Sequence, residues 1–163
     1  ASPALGPARR PGAPGGARDE TVDGALRSAR AAWAAGQPGA DANRLCMTGF
    51  CFGGGITWRT ATKLESLRAG AAWYGPPPPL EDVPGIRAAM LGIYAEDPKD
   101  FANRGRDELA AALEAAGDTF EIAVYPGTQH AFHNDTSPRW NEEQALVAWD
   151  DMLAWFAEYA PAT

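Results

Sequence analysis

Four short apolar runs cross this chain, and most are separated by stretches with a helical period. The runs are "NRLCMTG", "RAGAAWYG", "AAMLGIYA" and "FEIAVYPG". Each is too short for a helix and is bounded by glycine or proline, the pattern of a buried strand. After the first run comes "FGGGITWRTATKLES", a helix with a glycine-rich first turn. "NRGRDELAAALEAAG" is rich in Ala, Leu and Glu and stops at Gly117, as a helix closed by a C-terminal glycine does. "NEEQALVAWDDMLAWFAEYA" reads as an amphipathic terminal helix, with Trp149, Met152, Leu153 and Phe156 expected on its inner face. Upstream, Val22, Leu26, Ala29 and Trp33 recur near helical spacing before Gly36. Residues 1–19 carry mostly Pro, Gly and Ala. Such a segment cannot offset its ordering entropy by burial, so a disordered tail is expected there, ahead of one domain over 20–163. Strands alternating with helices predict an α/β fold, a mostly parallel sheet flanked by helices.

Composition narrows the partners. With 163 residues, a single domain is expected, large enough to bury roughly two-thirds of its unfolded surface. A net charge of −7 argues against nucleic acid or an anionic membrane as the main partner and says nothing about a small substrate. No apolar run approaches the ~20 residues of a membrane span. Two cysteines, Cys46 and Cys51, do not make a disulfide framework. No CxxC or histidine cluster suggests a metal. Arg9-Arg10 resembles a twin-arginine signal, but no apolar segment follows it. A cytoplasmic location is therefore expected, with export as the alternative.

In a parallel sheet, function sits at the carboxyl ends of the strands. Cys51 directly follows the first run, Asp97 the third, and His130 the fourth. "GFCFG" has the form glycine–x–nucleophile–x–glycine. A strand turning sharply into a helix strains its central residue and crowds positions −2 and +2, so Gly49 and Gly53 are expected to relieve that crowding. The helix N-terminus beneath Cys51 favours an anion, and the Phe52 N–H is placed to serve as an oxyanion donor. A plain buried cysteine beside a glycine-rich turn is the bland reading. The strand before, the helix after, and Asp then His downstream favour the nucleophile. Cys46, inside the first strand, is expected in the core. Tyr74, ending the second strand near the rim, is expected to line the substrate pocket.

"MTGFCFGGG", "LGIYAEDP" and "YPGTQHAFHND" together resemble the dienelactone hydrolase (carboxymethylenebutenolidase-like) family of the α/β-hydrolase fold. The likeness runs from about Asn43 to the C-terminus. It implies a Cys–Asp–His triad with Cys51 as nucleophile, His130 as base and an aspartate from "AEDPKD". Asp97 is the better match and Asp100 the rival. It also implies hydrolysis of an ester or lactone without metal or organic cofactor. His133 is expected to stabilise its loop. Two departures stand out. Family members acting on dienelactone carry an arginine where this chain has Asn134. They also place about four strands ahead of the elbow strand, where this chain has its Pro/Gly tail and one helix. The resemblance therefore implies the C-terminal portion of the fold, with about four strands. The elbow strand would then be an open edge, and the chain is expected either to self-associate through it or to be only marginally folded. The alternatives are a weakly active or inactive remnant, or a thioesterase- or peptidase-like relative using the same triad.

Overall fold

The structure is a computed structural model that describes residues 29–162. The tail expected over 1–19, and the start of the helix expected around Trp33, lie outside the described residues. Residues 29–35 are helical (α1). Each apolar run then forms a strand: β1 is Leu45–Phe50, β2 Leu67–Trp73, β3 Ala89–Ala95 and β4 Phe120–Tyr125. The helices α2 (Phe52–Ala61), α3 (Arg106–Ala116) and α4 (Glu142–Tyr159) stand between and after them. The strands pair in the order β1-β2-β3-β4, all parallel. This is the α/β architecture expected from the sequence.

Helix ends follow local chemistry. The Asn141 side chain accepts a hydrogen bond from the Gln144 N–H at the start of α4, satisfying one orphan donor. Gly117 ends α3 in the left-handed region at φ 74°, where a Cβ would be strained.

β2 and β3 are buried along nearly all their length, and alternate residues feed two cores. On one face Ala69, Ala71, Trp73, Leu91 and Ile93 pack with Ala145, Ala148, Met152 and Trp155 of α4. On the other, Ala72 and Met90 pack with Trp58, Ala61, Leu109 and Leu113 of α2 and α3. The Trp155 indole N–H donates to the Ala89 carbonyl at 3.2 Å, tying α4 to the sheet.

Two burial expectations need correction. Cys46 is exposed rather than in the core. It lies on β1, an edge strand, and α4 lies mainly across β2 and β3. For the same reason the inner stripe of α4 is rotated from the expected one. Met152 is buried and Phe156, half-buried, packs against the core as expected, but Trp149 and Leu153 are exposed at 44% and 49%, and Ala145, Ala148 and Trp155 take the remaining inner positions. Small alanines at 145 and 148 let the helix sit close, which the hydrophobic pattern alone underrates.

Candidate active site

β1 ends at Phe50 and α2 begins at Phe52, so Cys51 alone makes the turn. Its backbone sits at φ 54°, ψ −114°, a region costly for any residue with a Cβ. The Cys51 N–H donates to the Trp73 carbonyl at 2.9 Å, which anchors the turn to β2. The thiol makes no capping bond and is half-buried. The first N–H groups of α2, beginning with Phe52, have no intrahelical acceptor and surround the same turn.

The glycines divide their work differently from the expectation. A Cβ at Gly49 would lie 2.3 Å from the Gly53 carbonyl oxygen, so that position excludes a side chain. A Cβ at Gly53 would meet nothing within 4 Å. Crowding at the elbow is thus relieved by Gly49 alone, with the Gly53 backbone as the obstacle. Gly54 serves another contact: its Cβ would lie 2.5 Å from the Trp73 carbonyl oxygen. The glycine run lets the first turn of α2 press against the end of β2.

His130 reaches the same rim from the loop after β4. Its Nδ1 is 2.9 and 3.0 Å from the two carboxylate oxygens of Asp100. The partner expected from the sequence, Asp97, is not the one that meets the imidazole. The Asp97 carboxylate instead accepts from the Lys99 N–H at 2.9 Å, and its carbonyl accepts from the Asp100 N–H at 3.0 Å. That turn carries the chain one step further and buries the Asp100 side chain completely. Asp100 also accepts from the Ala102 N–H, opening a short helical turn at Phe101–Asn103. A carboxylate with two fixed donors is held more rigidly than one in an exposed turn. The sequence held both aspartates, but nothing in it shows how tightly the turn closes.

Aromatic rings pack around the imidazole. The Tyr74 ring meets His130 edge-on at 4.7 Å, and Phe101 packs on it at 4.7 Å. Tyr74 is 1% exposed and strained at φ 35°. Burial, then the neighbouring Cys51 and Asp100, hold its phenol protonated well above the usual range. Its hydroxyl shares a hydrogen bond with His133 Nδ1, and Phe50 stacks on His133 at 4.2 Å. His133 therefore contacts the rim, beyond the loop-stabilising part expected of it; the spacing H-x-x-H was the only available signal. Burial pushes its pKa below the usual histidine value, partly opposed by Asp135. A cavity of about 250 Å³ beside His130 is bordered by Lys99, Arg139 and Gln129. Asn134, the position of the missing arginine, is exposed and bonds Thr136.

The three expected groups thus reach one rim, with Asp100 in place of Asp97. Among the described residues no hydrogen bond joins Cys51 to His130, and no cluster of three or more metal-ligating side chains occurs. No helix among them is long and apolar enough to cross a membrane.

Comparison with known proteins gives a consistent result. The sequence model of the "Dienelactone hydrolase family" matches residues 15–160. A protein of Salmonella typhi named "Putative carboxymethylenebutenolidase" is 38% identical over 139 residues, covering 79% of this chain and 51% of its own. A protein of the same name from Methylorubrum extorquens is 36% identical, covering 82% of this chain and 50% of its own. A crystal structure from Klebsiella pneumoniae, of a "Putative Dienelactone Hydrolase", superposes with a TM-score of 0.78 at 38% identity, covering 86% of this chain and 62% of that one. The chain spans about half the length of the curated relatives it matches.

Proposed function

Because this chain belongs to the dienelactone hydrolase family, we propose that it cleaves a small ester or lactone through Cys51, His130 and Asp100. The observation that carries this reading is the pairing of His130 Nδ1 with the buried Asp100 carboxylate, on the rim where Cys51 occupies a strained elbow. Asp100 replaces Asp97 in the acid role because only Asp100 touches the imidazole.

In this reading His130 Nε2 takes the Cys51 proton, and Asp100 holds the tautomer with Nδ1–H and stabilises the imidazolium. The sulfur attacks the acyl carbon, and the carbonyl π electrons move to oxygen, facing the Phe52 N–H at the start of α2. Collapse of the tetrahedral adduct breaks the acyl C–O bond, and the leaving oxygen takes the proton from His130. Water, losing its proton to His130, then attacks the thioester; the acid departs and Cys51 recovers its proton. No cofactor enters these steps. Tyr74, expected to line the pocket, is buried and backs the site by packing on His130. The Phe52 N–H is the oxyanion donor this reading assigns; removing such a donor costs roughly 10²–10³ in turnover in a well-studied protease.

Hydrolysis of p-nitrophenyl acetate tests the assignment. Cys51→Ala should abolish turnover above background. Asp100→Asn should lower kcat by at least about 10²-fold, since it disturbs the histidine tautomer. Asp97→Asn should stay close to the parent. A larger loss from Asp97→Asn than from Asp100→Asn would return the acid role to Asp97.

A further inference from the structure

We propose that His133 is a positioning residue for the catalytic histidine and acts on it through Tyr74. The inference rests on the reading of Cys51 as nucleophile and His130 as base, whose mechanism leaves His133 without a part. The contact with Asp100 fixes an edge of the His130 ring. Tilt about that line is limited on two sides, by Phe101 packed on the ring and by Tyr74, whose ring meets the imidazole edge-on at 4.7 Å. Tyr74 is itself held at both ends. Its N–H bonds the Ile93 carbonyl, and its hydroxyl bonds His133 Nδ1. His133 in turn lies flat on Phe50, with ring planes 9° apart, and Phe50 is the residue before Cys51. A continuous strut thus runs from the nucleophile's own strand, through His133 and Tyr74, to the base.

The chemistry of the pair suits a strut. Burial lowers the His133 pKa, which favours the neutral ring, and in the tautomer with Nε2–H its Nδ1 accepts from the phenol. The Tyr74 phenol keeps its proton. A neutral donor and a neutral acceptor form a fixed bond with no charge to be solvated. Tyr74 reaches its place with a strained backbone, and strain of that kind persists only where the surroundings impose it.

The test compares Tyr74→Phe, His133→Phe, the double variant and His133→Asn. Two rates are read: alkylation of Cys51 by iodoacetamide at pH 7, and p-nitrophenyl acetate hydrolysis. Thermal melting verifies that each variant folds. Because small misplacements of catalytic groups are costly, Tyr74→Phe and His133→Phe should each slow alkylation and kcat about five-fold with KM unchanged. The double variant should be no slower than either single one, since both remove the same contact. His133→Asn, whose side-chain oxygen can accept from the phenol, should restore most of the loss. Losses that multiply in the double variant, a fully active His133→Phe, or a His133→Asn as slow as His133→Phe would each overturn the strut. His130→Ala separates the two readings. If it alkylates as fast as the parent, the base assignment itself fails and the inference with it. If it is slow while His133→Phe is normal, only the strut fails.

Discussion

A single glycine sets the geometry of the elbow. At Gly49 a Cβ would stand 2.3 Å from the Gly53 carbonyl oxygen, and backbone at a strained turn cannot yield as a side chain does. Gly49→Ala should therefore destabilise the fold by roughly 1–3 kcal/mol, the usual cost of forced overpacking. Gly53 lies in the first turn of α2 with open space around its Cβ. Gly53→Ala should be neutral or stabilising by up to about 1 kcal/mol, through the lost entropy of the unfolded chain. Urea unfolding of both variants decides the matter, and equal losses would refute the steric account. His133 gives a second residue-scale expectation. Its pKa is lowered on folding, so the native state binds its proton less readily than the unfolded chain. The stability it contributes is full above the unfolded value of about 6.5 and is lost as pH falls through the folded value. His133→Asn should flatten that acid-side slope in unfolding midpoints measured from pH 7.5 to 5. An unchanged slope would show that burial does not control this group.

At the level of elements, type and order were readable before any coordinates. Runs bounded by Gly and Pro became strands, and the Ala/Leu/Glu stretch ending at Gly117 became α3. What the pattern misjudged was β1. "RLCMTG" has the composition of a strand covered on both faces, yet Cys46 and Thr48 are exposed because β1 ends the sheet. Among the described residues its outer edge has no strand partner. An unpaired row of N–H and C=O groups is a template for another chain. Mass measured by light scattering after size exclusion should therefore rise with protein concentration. Cys46→Lys, placing a charge on that exposed strand, should hold the protein at monomer mass. A parent that stays monomeric at all concentrations would exclude association through β1. The same Cys46 is a poor rival to Cys51 as nucleophile. Although Cys46 is exposed as a residue, desolvation of its sulfur outweighs nearby Arg44 and raises its pKa, which favours the thiol.

For the molecule as a whole, the parallel sheet brings residues 51, 74, 100, 130 and 133 to one rim. They come from the ends of all four strands and the loops after them. Each strand ends on the same side because each is re-entered from the opposite side after a connecting segment. That arrangement makes the order nucleophile, acid, base along the chain compatible with one site. It also explains why, among the described residues, those with positive φ that are not glycine, Cys51, Tyr74 and Ala131, all fall at this rim. Backbone strain is concentrated where side chains must be aimed.

The sequence by itself determined the element types, the parallel class of the sheet and the rim positions of Cys51, Tyr74 and His130. Those features depend on local patterns: apolar run length, glycine at turns, and the rule that successive parallel strands end together. Tertiary structure alone decided which aspartate meets His130, which face of α4 turns inward, and that His133 is tied to Tyr74. Each of these depends on how a turn closes or how far a helix reaches across the sheet. Asp97 and Asp100 are three residues apart and chemically identical, so only the backbone bond from Asp100 to Asp97 and the burial of the second carboxylate distinguish them.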